Sequence, residues 1–430
     1  VDPARLVTEI QGVRAAFPDL DFLAPQGVLR VPVDHDGAVR LRLQVPGQTY
    51  FHLHAIEVAA DDENWRSHAS WRSSSAWTGT TGTAAAALFE ADGHHDAAFH
   101  TELETAPWVE VSFDRPVGIR HVTVHNVTSP NASRARGMQM LVAGADGSWQ
   151  KVYDGRARVQ LLRSVLAQQA LYRLHPVSDE TADLAAIVVD MGVGAYKRAS
   201  NALQHLPWIT DAERAAVRGA VNHGILGARS LEWTIHGVKR SFRYWSEDEK
   251  RNYVGTAVEV AHRLRQLTPH VCFGFGAVLA VVRDGDLIPH DDDLDLIVAF
   301  EPHEAATLAQ ANQRISAFLS SAGYTATGRH LAHRQVARPG QGKKLDVFVG
   351  IFEGDTISWY PGTRGSLHRE TMFPTSEGPM LGHACPLPRN PLQYLETVYG
   401  PGWRNPDPAF RHQWSGAGYE DIAGEQATGQ

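Results

Sequence analysis

The stretch Arg283-Asp284-Gly285-Asp286-Leu287-Ile288-Pro289-His290-Asp291-Asp292-Asp293-Leu294-Asp295-Leu296-Ile297-Val298 decides how the second half of this chain is read. Its aspartates run directly into an apolar, β-prone segment, Leu294 to Phe300. In a strand, residues i and i+2 share a face, so Asp293 and Asp295 should project together. Two ionised carboxylates held side by side repel unless a cation lies between them. Oxygen-only ligands of this kind suit Mg2+ or Mn2+ better than Zn2+. Asp291 shares the parity of Asp293 and is expected as a third ligand; Asp292 has the opposite parity and is expected to face solvent or cap the turn. An EF-hand is disfavoured, because the glycine and closing glutamate of that loop are missing.

A second strand supplies another carboxylate, in Leu345-Asp346-Val347. A lone carboxylate between apolar residues is costly to bury unless it is paired or metal-bound. Two carboxylates on one strand and one on a neighbour are a recurrent arrangement for metal-dependent phosphoryl transfer. Lys343 and Lys344, two of only six lysines in the chain, directly precede Asp346 and are candidate phosphate contacts. No G-x-x-x-x-G-K-[ST] loop is present, which disfavours a P-loop kinase.

Outward from this centre, strands and helices alternate from Val271 onward, as in a mixed α/β domain. An apolar segment runs from Val271 to Arg283, and Glu301-Pro302 is expected to open a helix of about twenty residues. Glu353-Gly354-Asp355 reads as a hairpin turn, and Asn390-Pro391 to Gly400 as a capped helix. Upstream, Ser246-Glu247-Asp248-Glu249 and Thr210-Asp211-Ala212-Glu213 are helix-capping signatures, and Ala215 to Trp233 carries apolar positions at helical spacing. The first 155 residues read as β-structure. Val28 to Val33, Val39 to Val45, Tyr50 to Val58, Trp108 to Phe113 and His121 to His125 alternate, and Asp114-Arg115-Pro116 is expected to turn.

The expected organisation is therefore multidomain α+β. An antiparallel β-sandwich of jelly-roll type covers 1–155, a helical connector 156–245, a mixed α/β nucleotidyltransferase-like domain 246–415, and a disordered tail 416–430. The net charge of −8 excludes a nucleic-acid binder carried by bulk positive charge. No apolar run reaches the roughly 18–20 residues of a membrane helix. Cys272 and Cys385 are the only cysteines, which favours a reducing, cytoplasmic compartment. The chain begins at Val1 rather than Met, which leaves room for upstream residues, including a removed signal.

Taken together, Gly276, Arg283, Gly285, Ile288-Pro289 and the aspartate run Asp291 to Asp295 resemble the signature of the LicD/fukutin group of phosphotransferases, members of the nucleotidyltransferase superfamily. The Asp346 strand, Pro386-Leu387-Pro388, Pro391 to Tyr394, Tyr399-Gly400 and Trp403 extend the resemblance, which spans roughly Asn252 to Pro408. Two departures stand out: Phe275-Gly276-Ala277 replaces Gly-Gly-Ser or Gly-Gly-Thr, and His290 replaces an aromatic residue. The resemblance implies transfer of a phospho-alcohol, of the phosphocholine, ribitol phosphate or glycerol phosphate type, from a CDP-linked donor to a sugar hydroxyl. Asp291, Asp293 and Asp295 would hold one or two divalent ions on the donor pyrophosphate, and Asp346 would complete the site or accept the acceptor's proton. Gly276, Arg283, Lys343 and Lys344 would steady the donor phosphates. Alternatives are nucleotidyl transfer to a small molecule or protein, and a glycan-binding protein with an inactive transferase domain. The front domain resembles a discoidin or galactose-binding module through Pro107 to Val111, Ile119 to Val124, Arg136-Gly137-Met138 and Asp146 to Trp149. A purely structural sandwich is equally compatible with those residues, and no glycan-binding residues can be singled out. The oligomeric state is not legible either.

Overall fold

The computed structural model describes residues 2–77, 85–89, 99–173, 178–328, 330–339, 343–360, 362–407, 410, 412 and 417–424. They form two units, Val1–Arg240 and Ser241–Gln430. The helices expected as a separate connector belong to the first unit: Val159, Leu162, Leu184 and Val217 share one hydrophobic cluster with the sheet residues Leu41, Val111 and Val122.

In the first unit, strands β1 (Val28–Gln44), β2 (Ala55–Ala60), β3 (Ala69–Ser73), β4 (Trp108–His125), β5 (Gln139–Ala143) and β6 (Trp149–Asp154) make one six-stranded antiparallel sheet. Its order is β6-β5-β1-β4-β2, with β3 also on β4. Several runs that read as separate strands are continuous. β1 joins Val28–Val33 to most of the Val39–Val45 run, ending at Gln44, and β4 passes straight through the expected turn at Asp114-Arg115-Pro116. Register shifts between Pro32 and Arg40 take up the extra residues, so the chain bends without leaving the sheet. The N-terminus departs from the β reading. Pro3–Arg14 is helix α1, capped by Asp2, whose carboxylate accepts the Ala4 N–H at 3.0 Å, and its Leu6, Val7 and Ile10 are buried. Four more helices follow: α2 (Gly155–Arg173), α3 (Asp179–Gly192), α4 (Tyr196–His205) and α5 (Asp211–Val221), the last opened by the Thr210/Glu213 capping box. The helix stops well short of Trp233, which lies in the short strand Glu232–Thr234.

The second unit is built on a mixed seven-stranded sheet. Strands β7 (Val271–Gly274), β8 (Asp295–Phe300), β9 (Thr325–Thr327), β10 (His333–Ala337) and β11 (Leu345–Glu353) run in the order β7-β8-β11-β10-β9. β8 and β11 pair parallel, and the other pairs are antiparallel. Leu296 to Phe300 are all 0% exposed, so β8 is covered on both faces and reads as an unbroken apolar run. Helix α6 (Glu247–Leu264) starts at a complete capping box: Ser246 Oγ accepts the Glu249 N–H and the Glu249 carboxylate accepts the Ser246 N–H. The apolar segment after Val271 divides into β7 and a short helix, α7 (Phe275–Leu279). The helix expected from Glu301-Pro302 begins later, as α8 (Leu308–Ser321) capped by Thr307, because the chain first turns at Glu301–Ala305. Helix α9 (Pro391–Tyr399) ends at Gly400, φ +78°. Of the tail expected to be disordered, 416 and 425–430 lie outside the described residues, but 417–424 are folded. Tyr419 is 1% exposed, and its hydroxyl lies 2.9 Å from the carbonyl oxygens of both Trp359 and Gly362. No helix among the described residues is long and apolar enough to cross a membrane.

Candidate metal centre

The aspartates gather where β8 and β11 begin. Asp295 is the first residue of β8 and is the register partner of Asp346, while Gly274 pairs with Asp295 from the other side. Carboxylate oxygens of Asp293, Asp295 and Asp346 lie within 4.8 Å of one another, and Asp293 is shared with a second group, Asp291, Asp292 and Asp293. All five carboxylates are half-buried. Asp292 thus joins the cluster instead of turning away. β8 begins only at Asp295, so strand parity does not govern the four residues before Leu294's neighbour.

A single hydroxyl organises the entrance to both strands. Tyr253, on α6, donates to the Lys344 carbonyl at 2.6 Å and accepts the Leu294 N–H at 3.1 Å, so it ties the residue before Asp295 to the segment leading into Asp346. The Asp346 N–H donates to the Leu294 carbonyl at 3.1 Å, closing the same junction. The glycine turn lies against the cluster as well: a Cβ on Gly276 would fall 2.9 Å from Asp291 Oδ2. Phe275 takes φ +42°, a left-handed conformation that strains any side chain with a Cβ. It is held there by stacking on Trp359 at 4.8 Å and by donating its N–H to the Tyr394 hydroxyl at 2.8 Å.

The electrostatics are those of a cation site. Burial, with the neighbouring Asp293 next, pushes the pKa of Asp291 and of Asp295 well above the usual carboxylate range. Burial, reinforced by the charge of Asp293, likewise raises the Tyr253 phenol. Among the described residues no lysine or arginine forms an ion pair with Asp291, Asp293 or Asp295. The donor set is carboxylate oxygen alone, which fits a hard divalent ion. His333 stands beside the cluster, its Nε2 3.5 Å from Asp346 Oδ2. Burial, helped by His330 and Arg334, lowers its pKa, leaving a neutral imidazole that can take up a proton.

Arg283 reaches both Asp284 oxygens, at 2.9 and 2.8 Å, and the Trp403 carbonyl at 3.3 Å. Lys343 Nζ sits 4.4 Å above the Trp245 ring, and Lys344 Nζ lies 3.3 Å from Gln335 Oε1. Tyr253 and His333 carry no sequence signal of their own, and Tyr394 enters the sequence reading only as the end of the Pro391 to Tyr394 segment. Each is a common residue whose role arises from contacts with distant parts of the chain.

Known proteins bear on the second unit. Residues 270–390 match the family model described as "LicD/FKTN/FKRP, nucleotidyltransferase domain". No curated protein matches the chain. Among solved structures, the crystal structure of ANT(2")-Ia in complex with adenylyl-2"-tobramycin aligns at 14% identity over 32% of this chain and 69% of that one, with a TM-score of 0.24. That score is too low to carry an argument about fold or activity. The family match covers Gly276, the aspartate run and Asp346, and it supports a transferase of the LicD/FKTN/FKRP kind in the second unit.

Proposed function

We propose that this protein is a metal-dependent phosphotransferase that moves a phospho-alcohol from a CDP-activated donor to a glycan hydroxyl. The observation that carries the reading is the convergence of Asp293, Asp295 and Asp346 at the mouth of the β8–β11 pair, inside the segment that matches the family model. Asp291, Asp293 and Asp295 would hold one or two Mg2+ or Mn2+ ions. When bound, such ions neutralise the donor pyrophosphate and favour departure of CMP.

The chain's own groups supply the rest. Asp346, with the neutral His333 beside it, is suited to hold the acceptor hydroxyl and receive its proton as the new phosphoester bond forms. Gly276 leaves room for the donor to approach the backbone at the aspartates, and Lys343 and Lys344 flank the same strand as phosphate contacts. In this reading the first unit is a β-rich module of galactose-binding type that binds a glycan.

The test is the mass of the products formed with Mg2+ or Mn2+ from a panel of CDP-alcohols and nucleoside triphosphates. Release of CMP with phospho-alcohol added to a saccharide supports the reading. Addition of a nucleoside monophosphate with release of pyrophosphate would replace it with nucleotidyl transfer.

A further inference from the structure

A cavity of about 460 Å3 opens in the first unit, and none of the carboxylates just described lines it. It lies between the loop after β1 at Val45 to Thr49, the segment Arg134 to Gly137, the first turns of α2, and Ala195 and Arg198 at α4. Five arginines line it: Arg134, Arg136, Arg156, Arg163 and Arg198. Against them, Asp190 is the one carboxylate that pairs with any of the five among the described residues; it binds Arg163 at 2.7 Å and also Arg198.

The other three are held by neutral groups. Arg134 lies 5.0 Å over the Tyr50 ring, Arg136 reaches the Gly194 carbonyl at 3.4 Å, and Arg156 donates to the Pro46 carbonyl. These contacts orient the guanidinium groups without cancelling their charge. Burial lowers the pKa of both Arg134 and Arg136; for Arg136 it outweighs the opposing charge of Asp190, and Arg163 and Arg156 add to the lowering. The start of α2 is not the source of the positive potential. Its first amides, from Arg156 and Ala157, are already taken by the Asp154 carboxylate at 3.1 and 3.2 Å.

Gathering five like charges around one concavity opposes folding unless an anion occupies it. The cavity falls in the usual size range for small-molecule sites, about 300–1,000 Å3. Guanidinium forks match phosphate oxygens two at a time. A phosphate group carries about −1.5 to −2 at neutral pH, so two of them balance the charge that Asp190 leaves uncompensated.

We propose that this arginine cavity is a binding site for a small ligand carrying two phosphate groups, with inorganic pyrophosphate as its minimal probe. The site is independent of the metal centre and does not need divalent ions. It is tested by calorimetric titration of the full chain with pyrophosphate in the presence of EDTA. The expected result is saturable one-to-one binding that persists in Asp293→Asn, and that weakens by roughly tenfold or more in Arg136→Gln and, separately, in Arg134→Gln. The thermal midpoint of each arginine variant should be unchanged or higher, because like-charge repulsion is relieved. Absence of saturable binding by the wild type, or wild-type affinity in either folded arginine variant, would overturn the proposal.

Discussion

Asp295 faces Asp346 in register across the parallel strands β8 and β11, and the carboxylates of both lie within 4.8 Å of that of Asp293. Such a pairing is unfavourable in a metal-free protein and favourable once a divalent ion is held between the groups. We therefore expect Asp295→Asn to raise the thermal midpoint measured in EDTA while weakening Mn2+ binding by more than the roughly 10–100-fold typical of outer-sphere changes. Unfolding curves and Mn2+ titration of the same variant read both effects.

The same carboxylates set a pH dependence. The pKa of Asp291 and Asp295 is raised in the folded protein, so the native state binds more protons than the unfolded state above the ordinary carboxylate range. Stability of the metal-free protein should accordingly be highest at low pH with respect to these groups, and fall as pH rises from about 4 through the raised values. Saturating Mg2+ should flatten that decline, because it binds the deprotonated pair. Melting in EDTA and in Mg2+ across pH 4 to 8 checks the sign.

Tyr253 joins the two carboxylate-bearing strands through one hydroxyl. Tyr253→Phe leaves the Leu294 N–H and the Lys344 carbonyl without that partner, which should cost about 1–3 kcal/mol of stability. Because the junction positions Asp295 and Asp346, turnover should fall further than the loss of folded protein explains. Denaturant unfolding together with kcat per folded molecule separates the two.

Gly276 offers a cleaner functional probe. The Cβ introduced by Gly276→Ala would meet Asp291 Oδ2 at 2.9 Å, and the easier group to move is the carboxylate. Stability should change by less than about 1 kcal/mol, as for most substitutions that leave the core intact. Metal affinity and turnover should drop together. Crystals or NMR shifts of the Asp291 region would register the displacement.

Much of this site was legible in the sequence because its signals are local. The aspartate run enters an apolar strand within a few residues, and Asp346 sits between Leu345 and Val347. The capping boxes at Ser246 and Thr210 were legible for the same reason. What escaped depends on partners far along the chain. Tyr253 acts on residues 41 and 91 positions away, Tyr394 on a residue 119 away, and Tyr419 on residues 60 and 57 away. Asp114-Arg115-Pro116 reads as a turn because polar residues and proline punctuate turns, yet register shifts against β1 let the strand carry all three exposed. The five arginines of the cavity are scattered from 134 to 198, and only the packing of α2 and α4 on the sheet-end loops collects them.

The most direct single measurement is CMP release from a CDP-alcohol panel with a saccharide acceptor. It should be compared for wild type with Mg2+, wild type with chelator, and Asp293→Asn with Mg2+. CMP release confined to the first condition is the expected result. Undiminished release in chelator, or by folded Asp293→Asn, would contradict a metal-dependent transfer at these carboxylates.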